Sequence, residues 1–323
     1  MTKTRSDHFD GHRFINPTLP KRSAPSLRTV FKMVREPRSP WPARVETKGV
    51  HRLHEPRAAD EVAITFVNHA TFLIQTGGTT ILTDPIWSER ASPFRRIGPK
   101  RVRRPGVAFA ELPPIDVVLL SHNHYDHLDI ATLARLRRRC DPAVLAAAGD
   151  ARLVGPLGFK SVRELDWWEA IEIGDGLKIT FVPAQHFSAR GLFDRQKSLW
   201  GGYMIERLRQ CIFFGGDSGY SSHFTDIRAR LGAPDLALLG IGAYEPRWFM
   251  QPMHMNPAEA VRAHRDLGSR QSIGMHFGTF QLSAEAIDQP QADLRRALIE
   301  SGLAESEFIT LHEGETRIYP ATS

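Results

Sequence analysis

Along most of the chain, short apolar runs alternate with polar stretches that repeat at helical spacing. From Val62 onward three apolar runs follow one another closely, Val62 to Val67, Phe72 to Gln75 and Thr80 to Thr83, parted by Asn68-His69 and Gly77-Gly78. Runs of this length broken by Asn, His and Gly predict hairpin-connected strands. Further runs stand at Val117 to Leu120, Val144 to Ala147, Leu177 to Val182, Ile212 to Phe214, Leu236 to Leu239 and Ile273 to Met275. Between them the pattern predicts helices over Leu128 to Arg138, Ser222 to Leu231, Pro257 to Asp266 and Gln291 to Ser301. The third opens with Asn256-Pro257 and places Glu259 three residues after the Asn, an N-cap with proline at the first helical position. Strands and helices alternate without a repeat, which predicts an α/β chain in which many strand ends converge.

Residues 1 to 58 break this pattern. They are rich in Arg and Lys, carry Pro at 17, 20, 25, 37, 40 and 42, and show no sustained period. They read as an extended, basic N-terminal arm, lying over the body or partly mobile, ahead of one hydrolase-sized domain at 59–323. At 323 residues, 41% apolar and 24% charged, the chain is neither disordered nor fibrous. The net charge of +6 is unevenly placed: residues 1–50 hold 11 Lys/Arg against 4 Asp/Glu, and the remainder 31 against 32. A nucleic-acid-binding protein gripping phosphates through the arm is the non-enzyme alternative. The chain carries no RNP, KH or zinc-finger pattern and its body is nearly neutral, so no nucleic-acid partner is expected. Two cysteines, Cys140 and Cys211, suggest no disulfide framework. No apolar run reaches the roughly 18 to 20 residues of a membrane span, and no apolar signal segment opens the chain. The expectation is a cytoplasmic protein, with peripheral contact to an anionic inner membrane face as an option and the oligomeric state open.

The chemistry concentrates at Ser121-His122-Asn123-His124-Tyr125-Asp126-His127, where an apolar strand stops and three imidazoles and a carboxylate follow within six residues. Such a density of N and O donors points to metal binding. His122 and His124 can converge on one cation while Asp126 and His127 turn onto a second. Three further strand ends lead to His186, to Gly215-Gly216-Asp217 and to His276. Two metals with four ligands each then take His122, His124, His186 and Asp217 at one site, and Asp126, His127, His276 and the same Asp217 at the other. Asp217 suits a bridge because a carboxylate has two oxygens, and the preceding glycines allow close backbone approach. Water shared between two such cations is hydroxide near neutral pH, which supplies a nucleophile without a protein side chain. Zinc is expected, with manganese or iron as alternatives.

The run His122 to His127 with His186, Asp217 and His276 resembles the metallo-β-lactamase superfamily. Within it the chain is most similar to the branch of N-acylphosphatidylethanolamine-hydrolysing phospholipases D. Matching stretches include His69-Ala70-Thr71, Thr83-Asp84-Pro85-Ile86, Glu164 to Glu169, His276 to Phe280 and, most specifically, Ile241 to Met250. The likeness runs from about Thr65 to Gln281, departs from the branch at Asn68, Phe187 and Ser218, and finds no clear match in the arm. It implies an αββα sandwich of two stacked sheets with helices outside, and a dinuclear zinc site that cleaves a phosphodiester of N-acylphosphatidylethanolamine-type glycerophospholipids. A lactonase or other ester hydrolase of the same fold is the alternative.

Around the ligands, Asp84 is expected to orient a metal-bound imidazole, and His69 either faces the site or packs as a backbone-bonded histidine. His254, just before a helix N-terminus, is expected to contact the phosphate or protonate the leaving group. Catalysis is assigned to Asp126, Asp217 and His254. Tyr244, Trp248 and Phe249 are candidates for an apolar lip. The basic stretch Arg95, Arg96, Lys100, Arg101, Arg103 and Arg104 suits anionic head groups.

Overall fold

A computed structural model describes residues 6–20, 26–47, 61–174, 176–191 and 193–320. The expected strand runs form two seven-stranded sheets. The first comprises β1 (Val62–Asn68), β2 (Thr71–Thr76), β3 (Thr79–Thr83), β4 (Val117–Leu120), β5 (Ala143–Ala147) and β6 (Val162–Leu165), closed at the β1 edge by β14 (Thr316–Tyr319). The second runs, in spatial order, from β13 (Phe308–Thr310) through β12 (Gln271–Met275), β11 (Leu236–Gly240), β10 (Gln210–Phe214), β9 (Gly202–Arg207) and β8 (Leu177–Val182) to β7 (Ala170–Ile173). β1, β2 and β3 pair antiparallel, while β3 to β6 and β10 to β13 pair parallel.

The strands read as continuous apolar runs because both faces of each sheet are covered. In β4, Val117 and Leu119 point into the layer between the sheets, where Phe66, Phe72, Phe181, Tyr203 and Phe214 meet. Val118 and Leu120 point outward, against Leu133 and Leu136 of α2 (Ile130–Arg139). On the far side Phe213 and Leu239 pack against α4 (His223–Leu231), α6 (Pro257–Leu267) and α7 (Gln289–Ser301). The result is four layers, αββα, as the resemblance implies. Trp167 and Trp168 enter the inner and outer layers respectively; they lie in a turn, with Trp168 at φ 71°, so the turn and not strand alternation parts them.

Helix starts follow their caps. Asp129 accepts the Ala131 N–H and begins α2 two residues later than periodicity suggests, and Asn256 and Glu259 form the expected reciprocal capping box on α6. The short α3 (Ala151–Val154) and α5 (Arg247–Met250), with β6, β7, β9, β13 and β14, were not legible. Most are brief, half-exposed or interrupted by charge. β9 is buried from Gly202 to Ile205, but it follows Gly201, opens on a second glycine and closes on Glu206-Arg207, which leaves an apolar run of only three residues.

The arm differs most from expectation. The proposed boundary at residue 58 lies outside the described residues, but the segments before it contain a helix, α1 (Leu27–Val34), with Ser26 accepting the Thr29 N–H. Phe14 reaches the inter-sheet core, the Trp41 indole donates to the Glu285 carbonyl at 2.8 Å, and the Val45 N–H donates to the Val102 carbonyl at 2.7 Å.

Candidate metal centre

All the expected ligands gather at one end of the sandwich, where β3, β4, β10 and β12 finish and where the ends of parallel strands converge. His122, His124, Asp126 and His127 follow β4, His186 follows β8, Asp217 follows β10, and His276 follows β12. The reversal into the site is sharp. His69, Asp84 and His276 hold φ of 50°, 32° and 62°, a left-handed conformation that costs about 1–3 kcal/mol each and is kept where the surroundings over-determine it. Gly216 has φ +57°, and a Cβ there would stand 2.7 Å from the Gly201 carbonyl oxygen and 2.8 Å from the Ser121 Cβ. Only glycine lets this backbone bring Asp217 beside the His122 loop.

One oxygen organises the cluster. Asp217 Oδ2 lies 3.1 Å from Nε2 of His127 and of His276, 3.8 Å from His186 Nε2 and 3.9 Å from His122 Nε2. On one side His124 Nδ1 lies 2.8 Å from His122 Nε2 and 3.2 Å from His186 Nε2. On the other Asp126 Oδ2 lies 3.5 Å from His127 Nε2, 3.3 Å from His276 Nε2 and 3.0 Å from His69 Nε2. The two groups are those that spacing assigned, with His69 added to the second.

Hydrogen bonds away from the centre set the tautomers. Asp84 Oδ2 accepts from the Ser121 hydroxyl at 2.6 Å and from His127 Nδ1 at 2.7 Å. Because the Ser121 hydroxyl gives its proton to Asp84, it accepts from His122 Nδ1 at 2.9 Å. His186 Nδ1 donates to the Met253 carbonyl at 3.0 Å. His122 and His186 therefore turn a bare Nε2 lone pair toward His124 and Asp217. Lone pairs facing one another and a carboxylate are repulsive unless a cation stands between them, so the donor set fits a metal. His127 Nε2 and Asp217 Oδ1 are buried and without a hydrogen-bond partner, which agrees with that fit.

The electrostatics separate His127 and His276 from the other imidazoles, His69 included, which burial and then the His276 charge lower to about 3. Burial, then the neighbouring imidazoles of His127, His124 and His186, hold His122 well below the ordinary histidine value. Burial also lowers His124 to about 4. Burial opposes charge on His127 as well, but Asp217, Asp126 and Asp84 overcome it and raise its pKa well above the ordinary value. His276 is raised to about 9 against its burial, chiefly by Asp217.

Sequence reasoning missed Ser121, whose hydroxyl links Asp84 to His122 and which lacked any spacing signal. His254 stands in the cluster, its Nδ1 3.9 Å from Asp217 Oδ2 and its ring centroid 5.0 Å from that of His186. The helix N-terminus beyond it offers less to an anion than expected, because the Glu259 N–H is taken by Asn256 Oδ1 and Pro257 has none. Two of the lip candidates are engaged elsewhere. Tyr244 is buried with its hydroxyl 2.5 Å from Asp293 Oδ2, and the Trp248 indole donates to Glu36 at 3.0 Å beneath the Lys32 ammonium. Phe249 packs edge-on against Trp248. The basic stretch also divides: Arg101 is buried and donates to the Ser88 and Ile86 carbonyls, Arg103 pairs with Glu313, and Arg95 and Arg96 stay exposed.

A family model described as a β-lactamase superfamily domain matches residues 79–277, which contain six of the seven assigned ligands between β3 and β12 and the seventh, His276, at the end. The chain belongs to the metallo-β-lactamase superfamily. As an enzyme, this metallo-β-lactamase protein groups with metal-dependent hydrolases. It is 35% identical over 311 residues to N-acyl-phosphatidylethanolamine-hydrolyzing phospholipase D 1 of Caenorhabditis elegans, covering 90% of this chain and 87% of the relative. That coverage exceeds what residues 59–323 alone account for, so the likeness enters the arm. The mitochondrial N-acyl-phosphatidylethanolamine-hydrolyzing phospholipase D of Saccharomyces cerevisiae is 34% identical over 77% of this chain and 56% of its own length. Among solved structures, an isothiocyanate hydrolase from Delia radicum gut bacteria superposes with a TM-score of 0.65 at 22% identity, covering 80% of this chain and all of the other. A diiron β-hydroxylase from Streptomyces venezuelae shares the fold with a TM-score of 0.58 at 23% identity, over 82% of this chain and 55% of its own.

Proposed function

We propose that this protein hydrolyses a phosphodiester of N-acylphosphatidylethanolamine-type glycerophospholipids at a dinuclear metal centre, with zinc the favoured metal and manganese or iron as alternatives. The observation that carries the dinuclear reading is the placement of Asp217 Oδ2 between two groups of imidazoles, at 3.1 to 3.9 Å. The phosphodiester reading is supported by the likeness to the nematode and yeast relatives, which extends over most of this chain.

What a metal pair supplies here when bound is a water activated near neutral pH and neutralisation of charge on the phosphoryl oxygens. The chain's own residues do the rest. His122, His124 and His186 would hold one cation and Asp126, His127 and His276 the other, with Asp217 available to both. Asp84 and the Met253 carbonyl fix His127 and His186 as Nε2 donors. His254 borders Asp217 with its side chain still 13% exposed. Burial lowers its pKa to about 4, so the neutral ring can hydrogen-bond a phosphoryl oxygen or the leaving oxygen, and giving up a proton would require it to be charged first.

A groove of about 830 Å³ supports the lipid class. Its walls include Tyr125, from within the ligand loop, together with Phe94, Leu128, Ile130, Arg95 and Arg190. Phe94, Leu128 and Ile130 suit an acyl chain and Arg90, Arg95 and Arg190 an anion, while Glu89 and Asp129 also line the groove. Phe94 and Ile97, 62% and 68% exposed beside Arg95 and Arg96, form a rim suited to an anionic lipid surface.

The test is turnover of N-acylphosphatidylethanolamine in mixed micelles, of a water-soluble phosphodiester and of a lactone, with Asp217→Asn as the control. Phosphodiester cleavage well above the control, strongest on the lipid, is expected. Lactone opening with phosphodiester turnover no higher than the control overturns the proposal.

A further inference from the structure

Residues 6–20 are not an appendage to the site. Phe9 and Phe14 pair in a small antiparallel bridge, and their rings meet at a tilt with centroids 4.8 Å apart. Phe14 enters the inter-sheet core and its N–H donates to the Gln196 carbonyl at 2.8 Å. His8 lies against Trp167 with ring centroids 4.0 Å apart and places Nε2 2.7 Å from Asp166 Oδ1. The segment is thereby clamped on both sides of the 183–200 loop, which carries His186. Two residues beyond Phe14, the Asn16 amide donates to the main-chain carbonyl of His186 itself at 2.7 Å, in a buried position. Thr18 then donates to the Gln185 side chain at 2.6 Å.

We infer that Asn16 is a positioning residue for the metal centre, fixing the backbone of His186 from behind while the Met253 carbonyl fixes its ring. The physical argument is geometric. The Gln185 carbonyl accepts the Gly219 N–H at 2.9 Å, which anchors the chain just before His186, but neither that bridge nor the ring's Nδ1 bond to Met253 fixes the peptide that follows His186, which keeps rotational freedom. A buried donor on the His186 carbonyl removes that freedom. It also satisfies a carbonyl that would otherwise be left unpaired in the interior. Outer bonds of this kind typically change metal affinity by about 10–100-fold when removed. The inference rests on His186 as a metal ligand and not on the identity of the substrate.

The experiment compares wild type, Asn16→Leu and Thr18→Val in the full-length protein. Leucine keeps the volume at position 16 and removes the donor, while Thr18→Val breaks a neighbouring bond of the same segment that does not touch the ligand. Zinc release to a chelator and zinc affinity are measured beside the melting temperature of the metal-free protein. Asn16→Leu is expected to weaken zinc retention about tenfold or more, and Thr18→Val to leave it unchanged. Asn16→Ala, which removes the donor in a smaller side chain, takes the place of the leucine variant if that does not fold, with the same loss expected. Unchanged zinc release in the folded Asn16 variant overturns the inference, as does equal weakening by Thr18→Val, because the effect would then belong to the segment as a whole. Wild type that retains no zinc, manganese or iron overturns both this inference and the dinuclear reading. Loss of phosphodiester turnover with zinc retention as predicted would count against the substrate alone.

Discussion

Asp217 and His254 show how differently two polar residues in one cluster can act. Asp217 is buried with Oδ2 turned to both imidazole groups, and the flanking His127 and His276 hold its carboxyl well below the ordinary value although burial opposes this. His254 touches the same oxygen only at 3.9 Å and has Nδ1 toward it. Removing it should leave the ligands in place. His254→Ala is expected to keep full metal content while turnover of a phosphodiester falls about 10²-fold or more. Metal analysis and steady-state kinetics on the same preparation check this, and unchanged kcat would remove His254 from the mechanism. The sequence named both residues, but for different reasons. Asp217 follows a strand and two glycines, a pattern with chemical meaning. Tyr244 and Trp248 had only aromatic character to commend them, and side chains of that kind pack wherever apolar surface is available, here against Asp293 and α1.

Among the elements, the β10 strand and the glycine turn that ends it bear most directly on the site. Gly216 sits against Gly201 and Ser121, and its φ of +57° is one that an L side chain adopts only at a cost of roughly 1–2 kcal/mol. Gly216→Ala adds a Cβ into contact with the Gly201 carbonyl oxygen at 2.7 Å. We expect this variant to melt more than about 2 °C lower and to bind less metal, because relief of the clash moves Asp217. Calorimetry and metal analysis test both parts, and normal metal content at a lowered melting temperature would show that the turn is structural only. Short strands were legible where both faces are covered, since apolar residues then run on without alternation. β7 and β14 were not, because half-exposed edge strands of four residues carry too little pattern.

Across the whole molecule, burial places one carboxyl where it ties stability to pH. Asp150 lies beneath the ligand loop and accepts from the Asn123 amide at 2.9 Å. Burial pushes its pKa up to about 7, against the opposing bonds from Ser198 and Asn123. A folded-state value above the unfolded one means that the native protein binds the extra proton. Stability from this group is complete below about pH 4 and declines as pH rises toward 7. Asp150→Asn should therefore be more stable than wild type at pH 7 to 8, with the difference vanishing near pH 4. Urea midpoints of both proteins across that range measure the difference directly, and parallel curves would refute it. The sequence by itself determined the main buried strand runs, the Asn256 cap and the His122 to His127 cluster, because these depend on neighbours within a turn or a strand. Tertiary structure alone decided that His186, Asp217 and His276 meet at one oxygen, that His69 joins them, and that Asn16 reaches His186. Those contacts join residues as far apart in sequence as His69 and His276, and only the stacking of the two sheets brings their strand ends and the arm together.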